Sequence, residues 1–487
     1  MLLRQIFDPM LAQYAYLIGC QQTGEALLVD PERDIDRYVR LAEKEKLRIT
    51  AVAETHIHAD FLSGARELAE RFGTRLYLSD EGDQDWKYEW TGEKKRDGTA
   101  YDVVLLKDGD TFDIGRIEIK AVYTPGHTPE HLSFLVTDHG GGATSPMGLL
   151  SGDFVFVGDL GRPDLLEQAA GVGDNQEPSA RRLYRSIPTF TALEDYLQVW
   201  PAHGAGSACG KALGAVPQST VGYEKRYNAT LGAAEQGEDV FVEAILSGQS
   251  EPPLYFARMK KDNKLGVPLL GDLPRPRKLN AAELARTSTE ALVIDTRPDR
   301  SAFMARHLPG ALHAPLGNMF ATAIGSLVTD TATSLMLITE ESRVEKAVRA
   351  LVRIGYDRIE AYAEPATLAK HFENGGAHAV IPEVGFDEVK RRRDESGVAV
   401  VDVRYASEYA AGHVPGAVNA SYTRLPEYEA DRIPNNKTLL VHCGSGARAA
   451  IASSFLARKG YDVRYVNGAF ADYAETGEVV RGESVTA

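Results

Sequence analysis

The C-terminal part of the chain carries an internal repeat, which constrains the fold more than any other feature of the sequence. Three short motifs occur twice in the same order: D-x-R after an apolar run, then H-x-P-G-A, then G-Y-D. Asp295 and Asp402 are 107 positions apart, and Gly355 and Gly460 are 105 positions apart. Self-similarity at a nearly constant shift is typical of a duplicated structural unit. We therefore expect two α/β domains with parallel sheets, at residues 277–378 and 379–487.

The preceding residues 1–234 alternate strand-like runs with helical patterns and add hairpin-like runs at 103–106 and 117–123. This pattern predicts a layered αββα domain. Residues 235–276 contain many prolines and one helical stretch, and we expect them to form a tail and a linker. At 487 residues the chain is too long for one hydrophobic core, so the sequence predicts an α/β multi-domain protein.

Composition excludes several classes of function. A net charge of -15 and a pI near 5.4 argue against a nucleic-acid partner. No apolar run approaches the roughly 18 residues of a membrane span, and the N-terminus lacks a signal-peptide pattern, so we expect a cytoplasmic protein without a membrane partner. The distant cysteines Cys20, Cys209 and Cys443 are expected to be thiols. Acidic metabolic proteins of this size often form symmetric oligomers, so a homo-oligomer is an open alternative.

The segment Glu54-Thr-His-Ile-His-Ala-Asp60 directly follows a strand-like run at residues 49–53. His56 and His58 are two positions apart, so both side chains point to one side of an extended backbone. Imidazole nitrogens together with a carboxylate oxygen form a donor set for a divalent metal. Further metal-ligand types follow later apolar runs, at His127, Asp153 and His203. The residues themselves therefore predict a metal site.

These segments, T-H-x-H-x-D, then P-G-H-T, then G-D, resemble the motifs of the metallo-β-lactamase superfamily. The resemblance implies His56, His127 and Asp153 as metal ligands, with Asp159 as an alternative carboxylate. The resemblance also implies three residues around these ligands that orient them and carry protons: His58, Asp60 and His203.

Hydrolases of this family usually have a histidine where this chain has Phe61, and that histidine helps to hold a second zinc. Because a phenyl ring cannot coordinate a metal, we expect one metal per chain. Two imidazoles and one carboxylate are typical of non-haem iron(II) sites that use O2, so Fe(2+) is the expected cofactor.

Two nearby features resemble persulfide dioxygenases fused to rhodaneses. The Gly161-Arg162 pair suggests that Arg162 holds a carboxylate of a thiol carrier such as glutathione through its bidentate fork. The alternative is a surface arginine in a loop ion pair. The second feature is a stretch of small residues after His203 that contains Cys209. Cys209 is expected to relay sulfur, to gate the pocket, or to be an inert packed thiol.

The segment around Cys443 predicts a reactive thiol. An apolar strand leads into Cys443-Gly-Ser-Gly-Ala-Arg448, and a helical pattern begins near Ala447. Loop amides and a helix N-terminus that converge on a sulfur lower its pKa and bind anions. This domain resembles the rhodanese family, which implies that Cys443 carries sulfane sulfur while Arg448 and the loop hold the transferred group. The expected loop residues are Gly444, Ser445 and Gly446.

The first copy has no cysteine at the equivalent position and carries Glu340 and Glu341 there. Carboxylates repel an anionic substrate, so we expect an inactive rhodanese-like domain, with a retained ligand-binding role as the alternative.

Together these features predict a persulfide dioxygenase joined to an inactive and an active rhodanese. Its expected partners are a low-molecular-weight persulfide or thiol, O2, and thiosulfate or sulfite. The direction of sulfur transfer at Cys443 stays open. The alternatives are a glyoxalase II-like metallohydrolase of thioesters fused to a rhodanese, and a C-terminal pair that serves only as a docking module.

Overall fold

A computed structural model describes residues 1–165 and 176–482 and divides the chain into two units. The first unit comprises Met1–Pro252 with Phe256–Gly271, and the second comprises Pro253–Tyr255 with Asp272–Ala487. Within the described residues, no helix is both long enough and apolar enough to cross a membrane.

The first sheet of unit one contains six strands that lie side by side in chain order. They are Leu2–Asp8, Gln13–Cys20, Glu25–Val29, Arg48–Ala53, Arg75–Ser79 and Val103–Leu106. The first three pair antiparallel, and the pairs from Glu25–Val29 onward are parallel. Side chains alternate between the two faces of a strand, so Leu17 packs toward the helices Asp36–Lys44 and Ala65–Phe72 while Ile18 packs toward the second sheet.

The second sheet also has six strands, and only its Gly148–Gly152 and Gln198–Pro201 pair is parallel. The spatial order is Ser219–Thr220, Gln198–Pro201, Gly148–Gly152, Leu132–Asp138, Ile117–Tyr123 and Thr111–Ile114. Phe134 and Trp200 on its inner face pack with residues of the first sheet, and helices Gln176–Thr191 and Glu238–Leu246 cover its outer face. The result is the predicted αββα sandwich.

The other helices in the described part of unit one are Val221–Tyr227, Ala229–Ala234 and Phe256–Leu265, with 3-10 turns at Gln84–Trp86, Glu89–Gly92 and His139–Gly141. Residues 235–276 differ from the tail and linker that we expected from their prolines. The helix Glu238–Leu246 contributes Phe241 and Ile245 to the core, and the helix Phe256–Leu265 buries Asn263. The prolines of this segment lie in the stretches outside these two packed helices.

Unit two contains two five-stranded sheets in which every pairing is parallel. The first has the order Arg277–Lys278, Ile359–Ala363, Leu335–Ile338, Leu292–Asp295 and Leu312–His313. The second has the order Glu383–Val384, Asp462–Val466, Thr438–His442, Val398–Asp402 and Val418–Asn419. The two sheets share one topology, as the repeat in the sequence suggests.

Each sheet of unit two is accompanied by five α-helices. In the first copy they are Ala281–Glu290, Arg300–Ala305, Phe320–Leu327, Val344–Arg353 and Pro365–Glu373, with a 3-10 turn at Glu341–Arg343. In the second copy they are Phe386–Arg392, Ala406–Ala411, Leu425–Arg432, Ala447–Arg458 and Phe470–Thr476. The predicted α/β multi-domain class is confirmed.

Candidate functional site

Three buried side chains meet at the strand ends of unit one. His56 follows the strand Arg48–Ala53, His127 lies in the connection after Ile117–Tyr123, and Asp153 follows Gly148–Gly152. Their ligand atoms all lie within 4.8 Å of one another, and His127 Nε2 is 3.3 Å from Asp153 Oδ2. The structure thus brings together the three residues that we expected to bind the metal.

The chemistry of this cluster fits a divalent cation. Within residues 1–165 and 176–482, neither carboxylate oxygen of Asp153 has a hydrogen-bond partner of normal geometry. Burial raises the pKa of Asp153 to about 6 and lowers the pKa of His56 well below its ordinary value. A cation would compensate the buried carboxylate and would bind neutral imidazoles, which explains why these side chains are gathered there.

One nitrogen of each imidazole in this region is held by the protein. Oγ1 of Thr55 lies 2.9 Å from His56 Nδ1, and the carbonyl of Arg162 lies 2.9 Å from His127 Nδ1. His203 Nδ1 is 3.2 Å from the carbonyl of Ala12. Such contacts fix the tautomer and the ring orientation of a metal ligand. Nε2 of His127 and Nε2 of His203 each face Asp153.

A second group of ligand types lies beside the first: Asp60, His203 and Cys209. Their ligand atoms are also within 4.8 Å of one another, and His203 Nε2 is 3.5 Å from both Asp60 Oδ2 and Asp153 Oδ1. From the sequence we expected one metal per chain, because Phe61 cannot help to hold a second. The structure adds the thiol of Cys209, whose pKa burial raises well above its ordinary value.

His58 lies outside both groups. Its Nε2 is 3.1 Å from Oδ1 of Asp30, and its ring packs on Phe61 with 4.4 Å between ring centroids. Burial lowers the pKa of His58, but the carboxylates of Asp30, Glu54 and Asp60 together outweigh burial and raise the pKa to about 9. Asp30 also accepts hydrogen bonds from the amide and hydroxyl of Thr55.

Sequence reasoning missed three residues that hold this region in shape. The amide of Asp153 donates to His131 Nε2 at 2.9 Å. Glu130 accepts from the amide of Ile57 at 2.7 Å, and the Asn263 amide group donates to the carbonyls of His58 and Phe61. The second histidine of His127-Thr-Pro-Glu-His131 was a local signal for His131. Nothing local pointed to Asn263, which is 205 positions from His58.

Asp159 does not join the metal cluster. Its Oδ1 accepts from Leu160 N and Thr230 Oγ1, and its Oδ2 accepts from Lys211 N and Ala212 N. These bonds occupy both oxygens, so Asp153 is the carboxylate that faces His56 and His127.

The surroundings of Arg162 differ from those of a substrate ligand. Its side chain is only 1% exposed, and its guanidinium donates to Asp164 and to the carbonyls of Ala208 and Ser250. A substrate carboxylate could reach it only if these bonds were broken. The ion-pair alternative describes the geometry better, although the pair is buried and not on the surface.

In unit two, the loop after the strand Thr438–His442 wraps around a thiol. Cys443 is buried, and its Sγ accepts the amide hydrogens of Gly446 at 3.2 Å and Ala449 at 3.3 Å. Gly446 has a φ of 88°, which turns its amide toward the sulfur at the start of the helix Ala447–Arg458. The expected amide cradle is present.

The other loop residues that we expected to hold the transferred group differ in their exposure and in their hydrogen-bond partners. Ser445 is exposed, whereas the Gly444 carbonyl accepts from the amide of Phe470 at 3.0 Å. Arg448 donates to both oxygens of Glu408, at 2.5 and 2.8 Å. Its positive charge is therefore largely neutralised by an acid of the same domain.

The matching loop of the first copy holds no thiol. Strand pairing aligns Asp295 with Ile338 and Asp402 with His442, so Thr339 stands where the second copy has Cys443. Nζ of Lys278 lies 2.7 Å from Glu341 and 2.8 Å from Glu364. Glu341 of this loop is therefore paired with an ammonium group of the same copy.

Taken together, an αββα sandwich with a buried imidazole and carboxylate centre and a separate cysteine loop define a metallo-hydrolase-fold protein joined to a thiol-bearing domain. Residues 9–193 match the metallo-β-lactamase superfamily, and residues 386–476 match the rhodanese-like domain. The chain therefore belongs to the metallo-β-lactamase superfamily and carries a C-terminal rhodanese-like domain.

Several known proteins are similar to this chain. Human mitochondrial persulfide dioxygenase ETHE1 is 30% identical over 206 residues, which cover 42% of this chain and 68% of ETHE1. A probable metallo-hydrolase of Burkholderia pseudomallei is 29% identical over 54% of this chain and 87% of its own length. The crystal structure of a metallo-β-lactamase from Staphylococcus aureus has a TM-score of 0.65 and 40% identity, and covers 75% of this chain and 98% of that chain.

Proposed function

We propose that this chain is a persulfide dioxygenase and sulfurtransferase. The His56, His127 and Asp153 cluster carries the proposal, because two imidazoles and one carboxylate are the protein donors of non-haem iron(II) oxygenases. The identity to a protein named persulfide dioxygenase supports it further. The substrate that we propose is a low-molecular-weight persulfide, with glutathione persulfide as the first to test.

Iron(II) held by these three residues would supply the oxygen chemistry. The chain itself excludes water, since all three side chains are nearly fully buried. His203 Nε2, at 3.5 Å from both Asp60 and Asp153, is in position to hold a proton between the two carboxylates. The net products would be the thiol and sulfite, from persulfide, O2 and water.

For the rhodanese-like domain we propose sulfur transfer through Cys443. The thiolate attacks the outer sulfur of thiosulfate, the S–S bond of thiosulfate breaks, and sulfite leaves with the electron pair. A cysteine persulfide then stays on Cys443, and its outer sulfur passes to a thiol or to cyanide. The amides of Gly446 and Ala449 would stabilise negative charge on the sulfur. Both halves then handle persulfide sulfur, and one chain keeps the shared intermediate at high local concentration.

The dioxygenase is tested by O2 uptake with glutathione persulfide, using protein purified without oxygen and loaded with iron(II). We expect His56→Ala to abolish uptake because it removes one of three ligands. His139→Ala is the matched control, since His139 is a surface histidine with 43% of its side chain exposed. Unchanged uptake in His56→Ala would contradict the proposal.

The sulfurtransferase is tested separately by transfer of sulfur from thiosulfate to cyanide. Cys443→Ser should abolish transfer, because serine is a far weaker nucleophile and cannot form a persulfide. Cys20→Ser is the matched control, as Cys20 lies in the first sheet of unit one. Equal activity in the two variants would exclude Cys443 as the sulfur carrier.

A thioester hydrolase of the glyoxalase II kind is the second candidate. The Asp60, His203 and Cys209 group favours it, because it could hold a second metal beside the first. The similarity to a probable metallo-hydrolase also favours it. Cleavage of S-lactoylglutathione under argon with two zinc ions per chain would support the hydrolase, whereas one iron per chain and no anaerobic turnover would support the dioxygenase.

A further inference from the structure

We propose that the first rhodanese-like copy supplies Arg300 to the Cys443 loop, where its guanidinium holds the sulfonate group of an anionic sulfur donor such as thiosulfate. This inference rests on the proposed sulfurtransferase function of Cys443. It gives the copy that has no cysteine a role in the reaction of its neighbour.

Arg300 lies directly against the loop that surrounds the thiol. It is the first residue of the helix Arg300–Ala305, and its guanidinium carbon is 3.2 Å from the point that a Cβ on Gly446 would occupy. The amide of Gly446 is one of the two that donate to Cys443 Sγ. A guanidinium this close to Gly446 is within reach of a group bound to the sulfur.

Neighbouring contacts fix this helix against the second copy. Nδ2 of Asn467 lies 3.4 Å from Oγ of Ser301, and the helix packs on Ala447–Arg458 and on Glu383–Val384. The side chain of Asp299 caps the helix by accepting the amide hydrogen of Ala302. Arg300 is therefore held at the loop by the packing of two domains of one unit.

The charges around the loop explain why an additional cation is needed. Arg448 is paired with Glu408, and Arg404 is paired with Asp402 at 2.6 Å. The structure gives Arg300 no ion pair or hydrogen bond with any residue in 1–165 or 176–482, and the side chain is only half-buried. The nearby acid Glu383 accepts instead from Asn467 at 2.7 Å.

Comparison of the two copies supports the same assignment. Asp295 and Asp402 correspond, and the same shift aligns Arg300 with Ser407 and Ser301 with Glu408. The second copy thus has an acid near the position where the first has a free arginine, and that acid neutralises Arg448. Arg300 restores a positive charge that the active copy has lost from its own loop.

In the reaction, Arg300 would hold the sulfonate group of thiosulfate equally before and while the S–S bond breaks. Thiosulfate carries two negative charges, and sulfite departs with both of them when Cys443 takes the outer sulfur. A planar guanidinium can donate two parallel hydrogen bonds to a sulfonate, and bonds of this kind are stronger than neutral ones. Arg300 is thus a specificity residue for anionic donors, and its loss should weaken binding more than it slows the transfer.

The test measures thiosulfate to cyanide transfer by the full chain at varied thiosulfate. We expect Arg300→Met to raise KM for thiosulfate by about tenfold with kcat changed less than about twofold, from the usual strength of a charged hydrogen bond. Arg300→Lys, which keeps the charge, should recover part of the loss. Arg306→Met is the matched control, because Arg306 ends the same helix but packs on Phe372.

The dependence of kcat/KM on ionic strength is a second measurement, and replacing an arginine with a purely structural role would not change it. Attraction between a partly exposed cation and a dianion is screened by salt. The kcat/KM of the unaltered chain for thiosulfate should therefore fall more steeply with ionic strength than that of Arg300→Met.

The outcomes separate this inference from the proposed function. If the unaltered chain transfers sulfur and Arg300→Met has the same KM and salt dependence, Arg300 is not a donor ligand although Cys443 still is. If Arg300→Met and Arg300→Lys lose kcat equally with KM unchanged, Arg300 only stabilises the packing of the two copies against each other, and the inference is overturned. If the unaltered chain shows no transfer, both proposals are overturned.

Discussion

Replacement of Arg162 by methionine distinguishes the two roles that the sequence left open for this residue. The guanidinium donates to Asp164 Oδ1 at 2.8 Å, to Asp164 Oδ2 at 2.5 Å, and to two carbonyls. Methionine retains much of the volume but leaves Asp164 buried without its cation. Breaking a buried ion pair by removing one partner costs about 3–5 kcal/mol. We expect Arg162→Met to destabilise unit one by about 3 kcal/mol, the lower end of that range.

The chain offers a selective assay for this effect. The protein has three tryptophans, Trp86, Trp90 and Trp200, and all lie in unit one. Urea unfolding followed by tryptophan fluorescence therefore reports on unit one alone. Arg4→Met is the matched control because Arg4 forms a single exposed pair with Glu45, and its loss should cost less than about 1 kcal/mol.

The reasoning has one clear point of failure. If Arg162→Met unfolds at the same urea concentration as the unaltered chain but raises KM for glutathione persulfide, then Arg162 binds substrate. The buried pair with Asp164 would then contribute little to stability, contrary to its geometry.

Three further predictions follow from other parts of the structure. Burial lowers the pKa of His313 from 6.5 to about 4. Between these two pH values the unfolded chain binds a proton at His313 that the folded chain does not. The stability that is fully present above pH 6.5 is therefore lost as the pH falls toward 4. Between pH 7 and 5 the unaltered chain should lose about 2 kcal/mol more stability than His313→Gln, as measured by circular dichroism melts. An equal loss in the variant would refute this. Gly446→Ala should abolish sulfur transfer, since its Cβ would lie 2.8 Å from the Tyr465 hydroxyl. Gly460→Ala is the control, because Gly460 also has a positive φ, 94°, but no atom within 4 Å of the added Cβ. This control should retain sulfur transfer and so separate the effect of backbone strain from that of the clash. Removal of the metal by a chelator should lower the urea midpoint of the tryptophan signal. The free energy of unfolding of unit one should fall by about 2.7 kcal/mol if the metal was at a hundredfold excess over Kd, and an unchanged midpoint would argue against a bound cation.

The sequence alone determined the features that depend on near neighbours along the chain. The αββα class followed from alternating strand and helix patterns, and the parallel sheets followed from the repeat that relates Asp295 to Asp402. The Cys443 cradle was also predictable, because its two donor amides lie within six residues of the thiol. Strand periodicity and loop length act over a few residues, so such features can be recognised in the order of the residues.

Only the tertiary structure decided how distant segments meet. It placed Cys209 beside Asp60, and it paired the Arg162 side chain with Asp164 and two carbonyls. It also brought Asn263 to the segment that contains Phe61, where it donates a hydrogen bond. It also directed Arg300 of one copy to the cysteine loop of the other. These contacts depend on which faces of sheets and helices pack together, and that choice is made by the burial of apolar surface over the whole unit.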